Sequence, residues 1–270
     1  MRIKEISWYT YFMIIKNIFE FINLKTLIIT LLSVISTYLS IKFNLVADFP
    51  LNLIGIAIVF PIVFSIGEAY KRRETALEQY GIIKALGRAL YFFSRDWPEK
   101  KSKEGDVQIT EILTSLMINM RKFFKEKREG KEEVEIYTIF SKLSSFIEKT
   151  KKRGVTSSEI SRANQYLSKI IIAFERMKHI YQYRTPVTLR LHSKIFIFLL
   201  PILYGPYFAF IAQDLSIGLT YIIPVFLTVV LVSLDNIQDK LENPFDNIGS
   251  DDVMINAEKF QYTLDDHHLN

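Results

Sequence analysis

Leu215–Leu234 reads LSIGLTYIIPVFLTVVLVSL, twenty residues without a charge, and Asp235–Val253 follows as DNIQDKLENPFDNIGSDDV. A helix rises about 1.5 Å per residue, so such a window is about as long as the hydrocarbon core of a bilayer is thick. The abrupt change at Asp235 marks an exit from an apolar medium into water. The charged stretch then stops at Asn243-Pro244-Phe245, because proline disfavours a helical residue before it.

Working outward from this window, three more charge-free stretches come into view: Thr26–Ile41, Phe49–Gly67 and Ile195–Gln213. The shortest, Thr26–Ile41, is extended by Ile18–Leu24 with Glu20 near an interface. Core helices of a soluble protein can run this long, but four in one chain are unusual, and hydropathy argues for an integral membrane protein. A secretory signal is a poor reading, since 25 residues precede the first window and no small-residue cleavage site follows. Apolar residues make up 49% of the chain and charged ones 23%, so the two kinds are segregated along it. There is no cysteine, which excludes disulfides and thiolate metal sites. A net charge of +5 is too small to argue for nucleic acid as a partner.

The connections predict a topology. Lys42–Pro50 and Gln213-Asp214 are short, giving two hairpins of two spans each. The segment between them, Lys71–Lys194, holds 27 of the 34 Lys and Arg residues. Lys71-Arg72-Arg73 after the second span, and Arg190, His192 and Lys194 before the third, place that segment on the cytoplasmic side. The expected division is an N-terminal cytoplasmic or interfacial segment (1–25), spans one and two (26–70), a helical cytoplasmic domain (71–194), spans three and four (195–234) and an acidic cytoplasmic tail (235–270). Both termini are then cytoplasmic.

The middle segment is patterned for helices. Leu77, Ile82, Leu86 and Leu90 recur at helical spacing, as do Ile112, Leu113, Leu116 and Met117. SRDWPEKKSKEGD between them reads as a turn or loop, marked by Pro98 and Gly105. KEKREGKEEVE reads as a solvated helix end or loop. TSSEISRANQYLSKIIIAFERMKHIYQY opens on a capping signature at Ser157 or Ser158. Enzyme chemistry has no constellation to rest on: there is no histidine pair beside a carboxylate, no phosphate loop and no serine elbow. A non-enzyme is expected.

In the second window, VFPIVFSIGEAYKRR, Phe60 and Phe64 are four apart, and Glu68 continues their face. Pro61 loosens the helix at mid-depth. From periodicity alone, packing against a neighbouring span is the simpler account of the two phenylalanines. Glu68 is costly against lipid, so it should face water, a basic partner such as Lys71–Arg73, or a permeation path.

Three stretches resemble the bestrophin family of ion channels, including its prokaryotic branch. FPIVFSIG is similar to the family's second span, with a proline after the first of three pore-lining apolar residues spaced by four. YRTPVTLRLHSKIFIFLLPILYGP resembles its Thr-Pro-apolar-Pro segment and the basic entry to the third span. LDNIQDKLENPFD resembles the post-membrane segment with its Leu-Glu-Asn/Asp-Pro-Phe core. The resemblance implies an all-α homopentamer around one central pore, with a membrane neck and a cytoplasmic vestibule, in the plasma or inner membrane among lipids.

Carried over by position, the neck is lined by Phe60, Phe64 and Glu68, and the cytoplasmic aperture is Val187. The family usually has an apolar residue in place of Glu68, and a ring of five carboxylates favours cations. The expected function is a channel for small inorganic ions that prefers cations. The alternatives are a chloride or other anion channel and a non-conducting helical scaffold. Thr188 stands where prokaryotic relatives often have a second proline. Asn243, Asp246, Asp251 and Asp252 resemble the acidic cluster that binds calcium in animal members, and oxygen-rich loops suit calcium. Yet Lys240 replaces their glutamine ligand, and the acidic pair lies further from Pro-Phe. A solvated or subunit-bridging loop is therefore preferred to a calcium cofactor. From Asp235 to Asn270 there are nine acidic residues against two lysines, a composition fit to wrap a neighbour's basic middle segment.

Overall fold

A computed structural model describes residues 23–125, 130–184, 186–214, 216–246 and 252–264. Among them the chain is all helical: α1 (Leu24–Lys42), α2 (Leu51–Asp96), α3 (Lys103–Lys125), α4 (Lys131–Lys149), a 3-10 turn (Thr150–Arg153), α5 (Ser157–Gln182), α6 (Val187–Leu203), α7 (Gly205–Ile211), α8 (Ile217–Glu242) and α9 (Ala257–Tyr262). Two compact units result, one of residues 1–70 and 185–242, the other of 71–184 and 243–270.

In the first unit, α1 buries a largely polar face and exposes an apolar one. On α1 the buried residues are Thr26, Ile29, Ser33, Thr37 and Ser40, while Leu27, Ile28, Leu31, Ile35 and Leu39 are exposed. A helix in water does the reverse. Small hydroxyl residues let helices in lipid approach closely, and lipid accepts the leucines. Three helical stretches are long and apolar enough to cross a membrane: Leu24–Lys42, Arg190–Ile211 and Ile217–Glu242. Asn23 caps α1 by accepting from the Thr26 amide at 2.9 Å. The expected extension of this span through Glu20 lies outside the described residues.

The window expected as the third span stays long and apolar enough to cross a membrane as one stretch, with a local irregularity at Tyr204 between α6 and α7. Pro206 has no N–H to donate to the Ile202 carbonyl four residues back. The Ser36 hydroxyl of α1 donates to that carbonyl instead, at 2.6 Å. The backbone comes just as close: a Cβ on Gly205 would overlap Ser36 Oγ and lie 2.9 Å from the Ser36 backbone. Ile62, Ile197, Leu200 and Val232 form the apolar centre between the helices.

The second unit packs in the ordinary sense. Ile109, Leu113, Leu116, Met117, Met120, Phe123 and Phe124 of α3 recur three and four apart and are all buried. They meet Leu143 and Ile147 of α4 and Ile170 and Phe174 of α5 in one core. Thr156, not Ser157 or Ser158, caps α5. The Thr156 amide donates to the Glu159 carboxylate at 2.9 Å, and the Glu159 amide donates back to the Thr156 hydroxyl at 3.4 Å. Gly105 is not in the loop either. It lies in the first turn of α3, where its amide donates to the Ser102 hydroxyl at 3.1 Å. The charged run at 126–129 lies outside the described residues, and α4 begins just after it.

The Pro244-Phe245 turn belongs to this unit. Phe245 is buried and stacks on Phe124, with ring centroids 4.5 Å apart and planes inclined by 17°. The Val253 amide donates to the Pro244 carbonyl at 2.7 Å, which closes the loop behind the ring. Burying a phenylalanine contributes about 1.5–3 kcal/mol, enough to anchor a segment with little other structure.

Candidate pore face and acidic turn

α2 runs without interruption from Leu51 through Pro61 to Asp96. Its first half has two faces. Ile58, Ile62, Ser65 and Ala69 are buried, while Ile56, Phe60, Val63, Phe64 and Glu68 are exposed. Phe60 and Phe64, 60% and 57% exposed, lie edge to face with centroids 4.5 Å apart. The two rings touch along one helix face. Both rings keep more than half of their surface exposed within the single chain. A groove of about 690 Å3 beside this face is lined by Gly55, Ile56, Val59, Phe60, Tyr204 and Leu227.

Glu68 sits one turn beyond Phe64 and is exposed. Arg72, a candidate partner, donates to the Ile180 carbonyl at 2.7 Å, and Arg73 pairs with Glu74 at 2.5 Å. Among the described residues no ion pair reaches Glu68. Val187 is the first residue of α6 and is 59% exposed, after Pro186 at the cap. Proline suits this place because an initial helical turn has no use for its missing N–H.

In the acidic turn, Asn243 donates to Asp246 at 3.2 Å. Asp252 is buried, and Asp251 lies outside the described residues. Among the described residues no group of three or more His, Cys, Asp or Glu side chains is placed to hold a metal ion.

One constellation escapes inspection of the sequence. Lys25 of α1 donates to Asp235 of α8, and Lys194 of α6 pairs with Asp239 of α8 at 3.0 Å. The partners are separated by up to 210 positions. The available signal is that Lys25, Lys194 and Asp235 each adjoin the end of a charge-free window.

No known family profile and no curated protein matches the chain. Solved structures do. A point variant of a bacterial bestrophin homolog from Klebsiella pneumoniae superposes with a TM-score of 0.75 at 18% identity, covering 89% of this chain and 97% of that one. Another structure of a bacterial bestrophin homolog from Klebsiella pneumoniae gives 0.70 at 18%, covering 92% and 96%. A point variant described as a membrane protein gives 0.75 at 17%, covering 90% and 98%. At such identities the likeness is one of fold, and it extends over nearly the whole of each chain. The chain has the fold of the bacterial bestrophin homologues.

Proposed function

We propose that this chain is the subunit of a bestrophin-like homopentameric ion channel in the plasma or inner membrane. The observation that carries the reading is the exposed row Phe60, Phe64 and Glu68 on one helix of a chain with this fold. In the proposed assembly, residues 26–70 and 195–234 form four spans, 71–194 and 235–270 lie in the cytoplasm, and 1–25 lie in the cytoplasm or at the interface. Five copies of the row surround one axis. Two rings of phenylalanine make a narrow apolar neck, which limits passage by dewetting. Val187 lines a second, cytoplasmic aperture that sorts ions by size and hydration. Asn243 and Asp246 close the acidic turn on each other, which favours a subunit-bridging role over calcium binding.

Glu68 sets the sign of the current. Two unit charges about 8 Å apart repel by roughly 2 kcal/mol at an effective dielectric of 20, so a ring of five carboxylates needs compensation. Cations in the ring supply it, and the channel prefers cations. Purified protein in planar bilayers under asymmetric KCl is expected to show a reversal potential on the potassium side of zero. Glu68→Gln should move it toward the chloride side while the assembly stays intact. A parent reversing at the chloride potential would show an anion channel. A parent that carries no current would leave the scaffold reading. Identical selectivity in parent and variant between pH 5 and 8 would take Glu68 out of the permeation path.

A further inference from the structure

Four charged side chains gather in the first unit where α1 begins and α8 ends. The Lys25 ammonium donates to Asp235 and lies 3.9 Å from Asp239 as well. Lys194 holds Asp239 from α6 at 3.0 Å. Asp235 and Asp239 are four residues apart on α8, so both carboxylates lie on one strip of the helix. Their surroundings differ sharply: the Asp235 side chain is 1% exposed and that of Asp239 is 42%. Neutral bonds join the same two helices. Asn23 donates to Asn236 at 3.1 Å, and Asn236 donates to Thr26 at 3.4 Å.

A buried ion pair adds little net stability, because desolvating both charges offsets their attraction; its best-attested use is to specify one arrangement over another. Here the cation has a second acceptor within reach, and that acceptor has a second cation. The same four groups therefore admit two pairings. In the one described, Lys25 is drawn inward to Asp235 and Lys194 holds Asp239. In the other, Lys25 moves outward to Asp239. An Asp235 left without a partner in a dry site either takes up a proton or draws water in, so the exchange with both carboxylates ionised hydrates the contact between α1 and α8. A dry arrangement and a wet one make a two-state element.

We propose that Lys25, Asp235, Asp239 and Lys194 form an ion-pair switch that sets the separation of α1 from α8. Through it, and resting on the channel reading above, the switch sets the open probability of the pore and leaves its unitary conductance unchanged. Asp235→Asn removes the inner acceptor and Asp239→Asn the outer one, so the two substitutions bias the switch in opposite senses. Single-channel records are expected to show at least fivefold changes of opposite sign in open probability at unchanged conductance. Lys25→Met removes the shared cation and should abolish the difference between the two variants.

A second readout needs no current. The chain has no cysteine of its own. Ile28 of α1 and Val230 of α8 are both exposed. Nitroxide labels on Ile28→Cys and Val230→Cys therefore report the α1–α8 distance in protein diluted with unlabelled chains. Asp235→Asn should lengthen that distance, and Asp239→Asn should shorten or narrow it. Shifts in the same sense, or parent-like distributions in both variants, would overturn the switch. Asp239 is exposed and its variant should fold even where Asp235→Asn does not, so its parent-like behaviour alone suffices to overturn the proposal. Labels that move in a protein carrying no current would refute the channel reading and leave the switch standing.

Discussion

Phe60 and Phe64 put more than half of their surface outside the chain that carries them. An aromatic side chain buries about 150–250 Å2 when it packs in a core. Leaving two such rings exposed four residues apart makes sense where lipid, another subunit or a pore axis meets them. If they form the dewetted neck, truncation widens and wets it. Phe60→Ala and Phe64→Ala should each raise unitary conductance severalfold in planar bilayers with the assembly retained. Parent-like conductance in both would make them packing residues between subunits. This face was legible in the sequence, since i, i+4 spacing defines a strip on any helix. What it faces is set by neighbouring elements, and periodicity alone favoured ordinary packing.

At the level of elements, the irregularity between α6 and α7 illustrates how a helix in an apolar medium accommodates a proline. Pro206 deprives the Ile202 carbonyl of its donor, and Ser36 replaces it from another helix. Serine and threonine commonly satisfy backbone groups freed by proline in this way. Ser36→Ala should destabilise the fold by about 1 kcal/mol, since it removes the side-chain donor from a part-buried acceptor. Gly205→Ala should cost more. Its Cβ would overlap Ser36 Oγ and approach the Ser36 backbone to 2.9 Å, so removing the hydroxyl relieves only part of the clash. Thermal melts of the two single variants and the double variant in detergent test this. Gly205→Ala melting like the parent would show that α1 can move aside. Charge-free windows marked these helices well because desolvation of charge is the dominant cost in lipid. The windows were blind to the irregularity at Tyr204, because a partner 166 residues away resolves it. The cap of α5 was misplaced by one or two residues because Thr156, Ser157 and Ser158 offer the same oxygen chemistry. Only the backbone decides which of them stands half outside the helix.

For the whole molecule, the first unit presents leucine, isoleucine and phenylalanine outward and keeps threonine and serine within. In water such a surface would aggregate; in lipid it is the expected solution. The fold matched over about nine tenths of this chain is that of bacterial bestrophin homologues. If it assembles around one pore, native mass measurement in detergent should give five times 31.6 kDa plus bound detergent and lipid. A monomer or dimer as the dominant species would remove the central pore.

The sequence by itself determined the helical class, the apolar windows and the turn at Asn243-Pro244-Phe245. Each is a local consequence of desolvation, periodicity or proline geometry. The tertiary structure alone decided that Ser36 serves the carbonyl freed by Pro206 and that Lys25 and Lys194 divide Asp235 and Asp239 between them. It also decided that Phe245 rests on Phe124. These depend on which helix faces which, and a side chain's partner across 166 or 210 positions leaves no periodic trace in the chain.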